Sequence, residues 1–190
     1  MQFNRIYIIG APGAGKGSLC AMLSADYNYH HLSVGDLLRH LARSNTLRPD
    51  IMRKIRGNDL LDTRDLIPIL KNAIETLPPD IKERLLIDGI PRVLGQAGPV
   101  EDAIGSPDLV LFFNCPGAVA KERFLTRKIP GRNDNWVAFN VRYGHYYAEN
   151  ERIVEHYRAR GVLVEVDTSG DFEESYDRLL DALRARGVMG

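Results

Sequence analysis

The stretch of sequence that decides the fold is Gly10-Ala11-Pro12-Gly13-Ala14-Gly15-Lys16-Gly17-Ser18, which directly follows the apolar residues 6–9. The apolar residues predict a buried strand, and a helical pattern begins at Gly15, so the glycines fall in the turn between strand and helix. In such a turn the backbone N–H groups can point inward, and the helix adds the positive end of its dipole. Because Lys16 adds an ammonium group, the stretch predicts a cradle for the phosphates of a nucleoside triphosphate.

The hydroxyl of this stretch, Ser18, stands one position later than in the commonest form of the motif, in which the residue after the lysine reaches Mg²⁺. The spacing G-x-P-G-x-G-K-G-[ST] resembles that of the nucleoside monophosphate kinases. The alternative interpretation is a glycine-rich strand-to-helix turn with a chance lysine.

The composition predicts a single domain over residues 1–190, because 44% hydrophobic residues suffice for one core and the chain is short for two. Lys+Arg and Asp+Glu balance at 25 each, so we expect neither a nucleic acid nor a membrane as partner. The first predicted strand leaves no room for a targeting peptide, which favours the cytoplasm. Cys20 and Cys115 have no metal-binding spacing and are expected in the core.

The local charge is less even than the total charge. Residues 121–142 carry six basic side chains against two acidic ones: Lys121, Arg123, Arg127, Lys128, Arg132 and Arg142 against Glu122 and Asp134. This cluster predicts an anion site, with a solvated basic helix face as the alternative.

Short apolar runs alternate with helical patterns along the chain. Strands are predicted at 5–10, 30–33, 85–88, 109–115 and 162–167, and helices at 15–27, 35–42, 63–76, 118–126, 136–160 and 172–186. Helices that alternate with strands imply right-handed crossovers, so the predicted fold is a doubly wound five-stranded parallel sheet with helices on both faces. Ligands of such folds bind at the carboxyl ends of the strands.

The longest predicted helix carries a mostly apolar stripe at intervals of three or four residues, interpreted as core packing: Trp136, Phe139, Tyr143, Tyr146, Asn150, Ile153 and Tyr157.

Two segments interrupt the alternation. Residues 36–65 form a helical stretch that is too polar to be core, and residues 128–135 form a charged loop rich in proline, glycine and asparagine. We interpret them as two mobile flaps beside the phosphate cradle. A kinase needs such flaps to exclude water before it transfers a phosphoryl group.

Several short motifs are similar to those of the adenylate kinases, over essentially the whole chain. They are the glycine-rich stretch, residues 31–39 (His-Leu-Ser-Val-Gly-Asp-Leu-Leu-Arg), Asp88-Gly89-Ile90-Pro91-Arg92 with Gln96 four residues later, and Val166-Asp167-Thr168-Ser169-Gly170. The resemblance implies a P-loop fold with a helical insertion that binds the nucleoside monophosphate, and a short lid without a zinc site. It also implies a monomer that transfers the γ-phosphoryl group of ATP to AMP with Mg²⁺, giving two ADP.

The resemblance also implies roles for particular residues. Gly10, Pro12, Gly13, Ala14, Gly15, Lys16, Gly17 and Ser18 would hold ATP, with Arg123 and Gly170 beside its base. Val34, Arg39, Leu61, Gly89, Arg92 and Gln96 would bind the acceptor, and Lys16, Arg92, Arg127, Arg132 and Arg142 would act on the transferred group. Asp88 would orient Mg²⁺ through water, with Ser18 as a second candidate. The alternative role for Asp88 is a helix or turn cap.

The chemistry of phosphoryl transfer gives a separate reason to expect several arginines in the site. Phosphoryl transfer between two nucleotides gathers about six or seven negative charges, and the transition state spreads charge over the equatorial oxygens. Guanidinium groups stay ionised and can bind two phosphate oxygens at once. Positioning and electrostatics therefore carry the reaction, and no strong base is needed.

The chain departs from the adenylate kinase pattern at three places. The lid has one aspartate, Asp134, where the family usually shows two; the segment 57–62 lacks the usual Leu-Val-Pro; and Val34 replaces a threonine or alanine. Gln96 favours AMP, because UMP/CMP kinases tend to carry asparagine at that offset. A UMP/CMP kinase and a nucleotide-binding scaffold without turnover stay open as alternatives.

The sequence also leads to expectations for four histidines and for Asp134. Packing or exposure is expected for His30, His31, His145 and His156 rather than catalysis. Asp134 is expected either to pair with the lid arginines or to make an exposed salt bridge.

Overall fold

The computed structural model describes residues 3–130 and 132–188. Its centre is a five-stranded sheet with the strand order β2-β3-β1-β4-β5, and every neighbouring pair is parallel. The strands are β1 (Arg5–Gly10), β2 (His30–Ser33), β3 (Leu85–Asp88), β4 (Leu109–Asn114) and β5 (Leu163–Asp167). Gly131, within the predicted lid, lies outside the described residues, as do residues 1–2 and 189–190 of the predicted domain.

Nine α-helices surround the sheet in the described part of the chain. They are α1 (Lys16–Tyr27), α2 (Val34–Arg43), α3 (Pro49–Arg56), α4 (Thr63–Glu75), α5 (Pro79–Lys82), α6 (Ala97–Ile104), α7 (Gly117–Thr126), α8 (Trp136–Ala159) and α9 (Phe172–Ala185). A 3₁₀ turn, Leu94–Gln96, precedes α6. None of these helices combines the length and apolarity needed to cross a membrane.

The core has one layer on each face of the sheet. Tyr7 and Ile9 of β1 pack into one layer, and Ile6 and Ile8 pack into the other, because side chains alternate along a strand. Both faces are covered, which explains why the central strands read as continuous apolar runs. The predicted α/β fold with helices on both faces is therefore confirmed.

The topology places the glycine-rich stretch at the crevice of the sheet. In space, β3 and β2 lie on one side of β1, and β4 and β5 lie on the other. The chain passes from β1 through β2 to β3 and then crosses to β4 and β5, so the side on which strands are added changes at β1. Gly10 ends β1 beside Phe113 of β4. Open α/β sheets bind ligands at this kind of reversal, outside the carboxyl ends of the strands.

Two helices were not predicted from the sequence. One is α5, which begins at Pro79, since proline is tolerated in the first turn of a helix. The other is α6, whose second and third residues are Gly98 and Pro99. These residues normally signal a break and hid the helical pattern.

The expectation that residues 36–65 are too polar for the core was wrong. Leu38, Ile51 and Leu61 are buried, and they belong to the same core layer as Tyr7 and Ile9. The apolar residues of this segment are few but lie on one face, so the segment packs on the domain while its polar residues face outward.

The interpretation of the α8 stripe as core packing was correct for Phe139, Ile153 and Tyr157, which are buried. It was wrong for Trp136, which is 57% exposed at the first residue of the helix, with Lys121 Nζ 5.4 Å from its ring centroid. Its neighbour Val137 is 68% exposed as well, so the helix begins outside the core and enters it at Ala138 and Phe139. Tyr146 and Asn150 line the cavity described next.

Candidate functional site

A cavity of about 830 Å³ opens at the carboxyl ends of the strands. Most of the site residues predicted from the sequence line it: Gly10, Pro12, Gly13, Ala14, Gly15, Lys16, Gly17, Ser18, Arg39, Asp88, Gly89, Arg92, Arg123, Arg127, Arg132 and Arg142. Val34, Leu61, Gln96 and Gly170 lie behind the lining. The fold therefore gathers side chains from six separate parts of the chain around one space.

The glycine-rich stretch forms the floor of the cavity. Gly10, Gly13 and Gly15 have φ values of 146°, 91° and 87°, which side chains with a Cβ rarely adopt. A Cβ on Gly10 would lie 2.6 Å from the Phe113 carbonyl oxygen, and one on Gly13 would meet the Ala120 carbonyl oxygen. These positions need glycine on grounds of both conformation and space.

Lys16 extends back across this loop. Its Nζ donates hydrogen bonds to the carbonyl oxygens of Gly10 and Ala11, both at 2.8 Å. Burial lowers the pKa of Lys16 to about 8, although the nearby Asp88 carboxylate partly opposes that effect. A half-buried ammonium group whose bonds go to neutral carbonyl oxygens favours the arrival of phosphate.

Asp88 ends β3 in the wall of the cavity. Its side chain is buried, its Oδ2 lies 3.6 Å from His31 Nε2, and its Oδ1 has no hydrogen-bond partner. Burial alone would raise the pKa of Asp88, but His31, Lys16 and Arg92 outweigh it and lower the pKa. A free oxygen on an ionised carboxylate fits water-mediated binding of Mg²⁺, and no described backbone N–H donates to it as a cap would require.

The described residues contain no cluster of three or more His, Cys, Asp or Glu that could hold a metal by themselves. Mg²⁺ commonly keeps several waters and binds one or two carboxylates together with substrate phosphates. Asp88 and the exposed hydroxyl of Ser18 fit that mode of binding.

Three arginines converge opposite the loop. Burial lowers the pKa of both Arg39 and Arg92, and burial together with these two neighbours lowers the pKa of Arg142 to about 9. Arg92 Nε donates to the Gly89 carbonyl oxygen at 3.1 Å. Cations this close to one another stabilise a bound anion strongly, and all three stay protonated at neutral pH.

The lid arginines are held by two carboxylates. Asp134 accepts hydrogen bonds from Arg127 Nε at 2.7 Å and Nη2 at 3.0 Å, and its Oδ1 lies 3.8 Å from Arg142 Nη1. The Asp134 side chain is only 7% exposed. Of the two expectations for Asp134, pairing with the lid arginines is the correct one.

Arg132 reaches from the lid loop to the insertion. Its Nη2 donates to Oδ1 and Oδ2 of Asp36 at 2.8 and 2.7 Å, and Arg39 donates to the same carboxylate at 2.6 Å. Partial burial would raise the pKa of Asp36, but the bonds and charges of Arg39 and Arg132 hold it well below its usual range. The two flaps thus meet through one shared carboxylate.

Arg123 lies at the other end of the cavity. Its guanidinium donates to the carbonyl oxygens of Thr168, at 2.6 Å, and of Gly170. Gly170 therefore contributes by fixing Arg123 rather than by lining the cavity. Arg123 also lines the cavity, where a guanidinium can contact a planar ring.

The three residues predicted for the acceptor base are buried behind the cavity wall. Gln96 Oε1 accepts from the Arg92 backbone N–H at 2.9 Å, and its Nε2 donates to the Leu61 carbonyl oxygen at 3.4 Å. Val34 lies nearby in the same core layer as Leu61. A second cavity of about 230 Å³ lies between α2, α3 and the lid loop, on the Arg39 side.

Among the residues that line the main cavity, sequence reasoning gave no site role to His31, Asp36 or His145. His31 was expected to pack or to be exposed, but it lines the cavity beside Asp88. The alternation of a strand gave a signal, since it puts His31 on the opposite face from His30. Asp36 gave no comparable signal for its bond to Arg132, because the two residues lie 96 positions apart, although Arg39 is only three positions from Asp36.

Comparisons with known proteins agree with the geometry. The family model described as adenylate kinase matches residues 8–162. The chain is 33% identical to uridylate kinase of Saccharomyces cerevisiae over 96% of this chain and 92% of that protein. It is 34% identical to UMP-CMP kinase of Lentinula edodes over 94% and 84%, and 31% identical to adenylate kinase isoenzyme 1 of Sus scrofa over 94% and 95%. A glycine-rich floor facing an arginine cluster and a match over most of the chain lead to one conclusion: this protein is a member of the adenylate kinase family, the nucleoside monophosphate kinases.

Proposed function

We propose that this nucleoside monophosphate kinase transfers the γ-phosphoryl group of ATP reversibly to AMP, giving two ADP. An oxygen of the acceptor phosphate forms a bond to the γ-phosphorus, and the bond from that phosphorus to the β,γ-bridging oxygen breaks. Mg²⁺, held through Asp88 and Ser18, neutralises charge on the phosphates when it is bound. The other contributions come from the chain's own cations.

The positions of these cations support the following roles. Lys16 lies on the floor beneath the β- and γ-phosphates of the donor, and Arg39 and Arg92 hold the acceptor phosphate. Arg127, Arg132 and Arg142 surround the transferred group between them, where negative charge spreads in the transition state. The insertion at 36–65 covers the acceptor and the lid at 128–135 covers the transferred group, which excludes water.

The proposal of AMP as the acceptor rests on the orientation of the Gln96 side-chain amide. The Arg92 N–H is a donor, so Oε1 must face it, and this bond fixes the orientation of the amide. Oε1 keeps one lone pair and Nε2 keeps one hydrogen. Because Gln96 is buried and does not line the cavity, the proposal requires the wall in front of it to open when the acceptor binds. The adenine edge offers the matching pair, an N6 amino donor beside the N1 acceptor.

The same orientation disfavours two other bases. Uracil and guanine carry a carbonyl oxygen where adenine carries the amino group, so they would bring acceptor against acceptor. A buried polar edge left unpaired costs about 1–3 kcal/mol, which is roughly tenfold to a hundredfold in discrimination. Cytosine presents the same donor and acceptor order as adenine and is the nearest competitor.

A UMP/CMP kinase is the second candidate, because the yeast and Lentinula relatives carry those names at 33% and 34% identity. A scaffold without turnover is a third candidate, but binding alone does not need arginines around the transferred group. We further infer a monomer that acts on small nucleotides in the cytoplasm.

The experiment is ADP production from ATP and Mg²⁺ with AMP, CMP, UMP, GMP or dTMP as acceptor, each at a range of concentrations. The proposal expects the highest kcat/KM with AMP and the next highest with CMP. A higher kcat/KM with CMP or UMP than with AMP would support a UMP/CMP kinase instead. If none of the five acceptors is phosphorylated, the result would support a nucleotide-binding scaffold without turnover.

A further inference from the structure

The longest helix, α8, is bonded to the acceptor side of the protein by a carboxylate that the proposed function does not use. Glu149 Oε2 accepts a hydrogen bond from the backbone N–H of Leu94 at 3.0 Å, across 55 positions of the sequence. The side chain of Glu149 is only 23% exposed, although glutamate is mostly exposed in proteins. It lines neither of the two cavities described above, so direct contact with a ligand is not its role.

Leu94 is the first residue of the 3₁₀ turn Leu94–Gln96. The first N–H groups of a helical turn have no partner within the turn and need an acceptor from elsewhere. Val93, which precedes the turn, makes no side-chain cap bond. Glu149 supplies the acceptor from α8, and a carboxylate is a strong acceptor for such an N–H group. The start of the turn is therefore held by another helix.

The turn belongs to the segment 92–96, which carries two residues proposed to bind the acceptor. Arg92 lines the main cavity, and its backbone N–H donates to Gln96 Oε1 at 2.9 Å. The backbone N–H of Gln96 donates to the Val93 carbonyl oxygen at 3.0 Å. These bonds close the segment on itself, so a displacement of Leu94 would move Arg92 and Gln96 with it.

The helix that carries Glu149 also carries Arg142, another residue that lines the main cavity. Seven residues separate Arg142 from Glu149, which is about two turns, so the two side chains leave the same side of α8. The bond to Leu94 therefore connects the helix of Arg142 to the segment of Arg92. The spacing between these two arginines depends on that connection.

A second contact joins α8 to α6 outside the lining of the cavity. Tyr157 donates its hydroxyl proton to Glu101 Oε1 at 3.0 Å, and Arg160 donates to both oxygens of Glu101 at 2.7 and 2.9 Å. Since α6 directly follows the 3₁₀ turn, α8 is bonded to the stretch 94–104 at two points. The Glu101 contact holds the two helices together, and the Glu149 contact holds the end of the stretch that leads to Arg92.

We propose that Glu149 is a positioning residue for the acceptor, whose bond to the Leu94 N–H keeps Arg92 and Gln96 in register with Arg142. This inference rests on the proposed function, in which Arg92 holds the acceptor phosphate and Gln96 faces the acceptor base. The bond keeps the segment in place while the wall in front of Gln96 opens and the acceptor enters. Donor binding on the glycine-rich floor does not depend on it.

The test compares Glu149→Ala with Glu149→Gln in steady-state assays with AMP and ATP. Glutamine keeps a side-chain oxygen that can accept from the Leu94 N–H but has no charge. We expect the KM for AMP to rise about tenfold in Glu149→Ala, because the N–H loses its partner, and about twofold or less in Glu149→Gln. The KM for ATP should change by less than about twofold in both variants.

Two control variants separate positioning from stability. Glu151 is exposed on the same helix, and Glu151→Ala should leave both KM values unchanged. Glu101→Gln removes the charge that pairs with Arg160, so it should lower Tm but leave the ratio of the KM values for AMP and ATP unchanged. Amide exchange of Leu94, followed by NMR, should be faster in Glu149→Ala than in the wild type and in Glu151→Ala.

Three results would overturn the proposal. They are an unchanged KM for AMP in folded Glu149→Ala, an equal rise in the KM values for AMP and ATP, and a Glu149→Gln protein as impaired as Glu149→Ala, which would indicate an effect of charge alone. If Glu149→Ala does not fold, Glu149→Asp is used instead. Its side chain is one methylene shorter and keeps the charge, and it should raise the KM for AMP in the same way.

Failure of the proposed function is recognised in the wild type alone. A wild type that phosphorylates none of the acceptors refutes the proposed function, whatever the variants show. If the wild type prefers a pyrimidine nucleotide, only the proposed base is wrong. The KM for that nucleotide then takes the place of the KM for AMP, because Arg92 holds its phosphate as well.

Discussion

The two ends of the cavity hold their arginines in different ways. Arg123, at the donor-base end, donates to two neutral backbone carbonyl oxygens, whereas Arg39 and Arg132, at the acceptor end, share the carboxylate of Asp36. Carbonyl oxygens fix the direction of a guanidinium and leave its charge uncompensated. A carboxylate competes with an incoming phosphate for the same hydrogen bonds. The donor end is therefore preformed, and the acceptor end has to exchange partners when substrate arrives.

The largest effect expected on the donor side is that of Lys16→Met. We expect turnover to fall by at least about a hundredfold, equivalent to roughly 2.7 kcal/mol, because the ammonium group is needed when the bridging oxygen becomes negative. Steady-state ADP production measures this loss. Lys121→Met, at a lysine outside the cavity, should keep full activity. Comparable turnover in a folded Lys16→Met protein would contradict the role of the loop.

The next effect concerns the lid arginines. Asp134→Asn removes the charge that orients Arg127 and Arg142, and we expect kcat to fall about tenfold or more, since bonds between charged groups contribute about 1.5–3 kcal/mol. The KM for ATP should change less than kcat. Asp50→Asn is the matched control, because Asp50 is exposed and pairs with Arg48 away from the cavity. An equal loss in both variants would refute a specific role for Asp134.

A smaller effect is expected where the two flaps meet. The side chain of Asp36 is 54% exposed, and such ion pairs contribute about 1 kcal/mol or less, so Asp36→Asn should change the KM of the acceptor by only about fivefold or less.

Hydrogen exchange of residues 121–142 should slow when a bisubstrate dinucleotide binds. Asp36→Asn should speed that exchange in the free protein. Unchanged exchange in the wild type, with binding verified, would contradict a mobile lid.

The smallest expected effect is the uptake of a fraction of a proton by Lys16 when ATP binds. The pKa of Lys16 is about 8 in the free protein, and bound phosphate raises it because anions favour the charged form. ATP binding at pH 8 should therefore take up about half a proton, and affinity should fall as pH rises through 8. Calorimetry in two buffers of different ionisation enthalpy measures the uptake. Lys16→Gln should abolish it, and a wild type that takes up no proton would contradict the shift.

Prediction from sequence succeeded where the backbone carries the signal. The strands β1 and β4 were predicted because they are nearly continuous apolar runs, and the phosphate loop was predicted because its glycines have a fixed spacing. The contacts behind the acceptor end were harder to predict, since the bond from Gln96 Nε2 to the Leu61 carbonyl oxygen joins residues 35 positions apart, which no local pattern brings together. Trp136 showed the same limit: periodicity placed it on the apolar stripe, but periodicity does not tell where the core ends.

The most direct test of the account is a competition in one tube, with limiting ATP and equimolar AMP, CMP and UMP. The ratio of the diphosphates formed gives the ratio of kcat/KM values without separate concentration measurements. The account predicts that ADP made from AMP dominates in the wild type, and that Gln96→Asn lowers the AMP-to-CMP ratio about tenfold or more. A wild type that favours CMP or UMP, or a ratio that Gln96→Asn leaves unchanged, would contradict the reading of the acceptor base by Gln96.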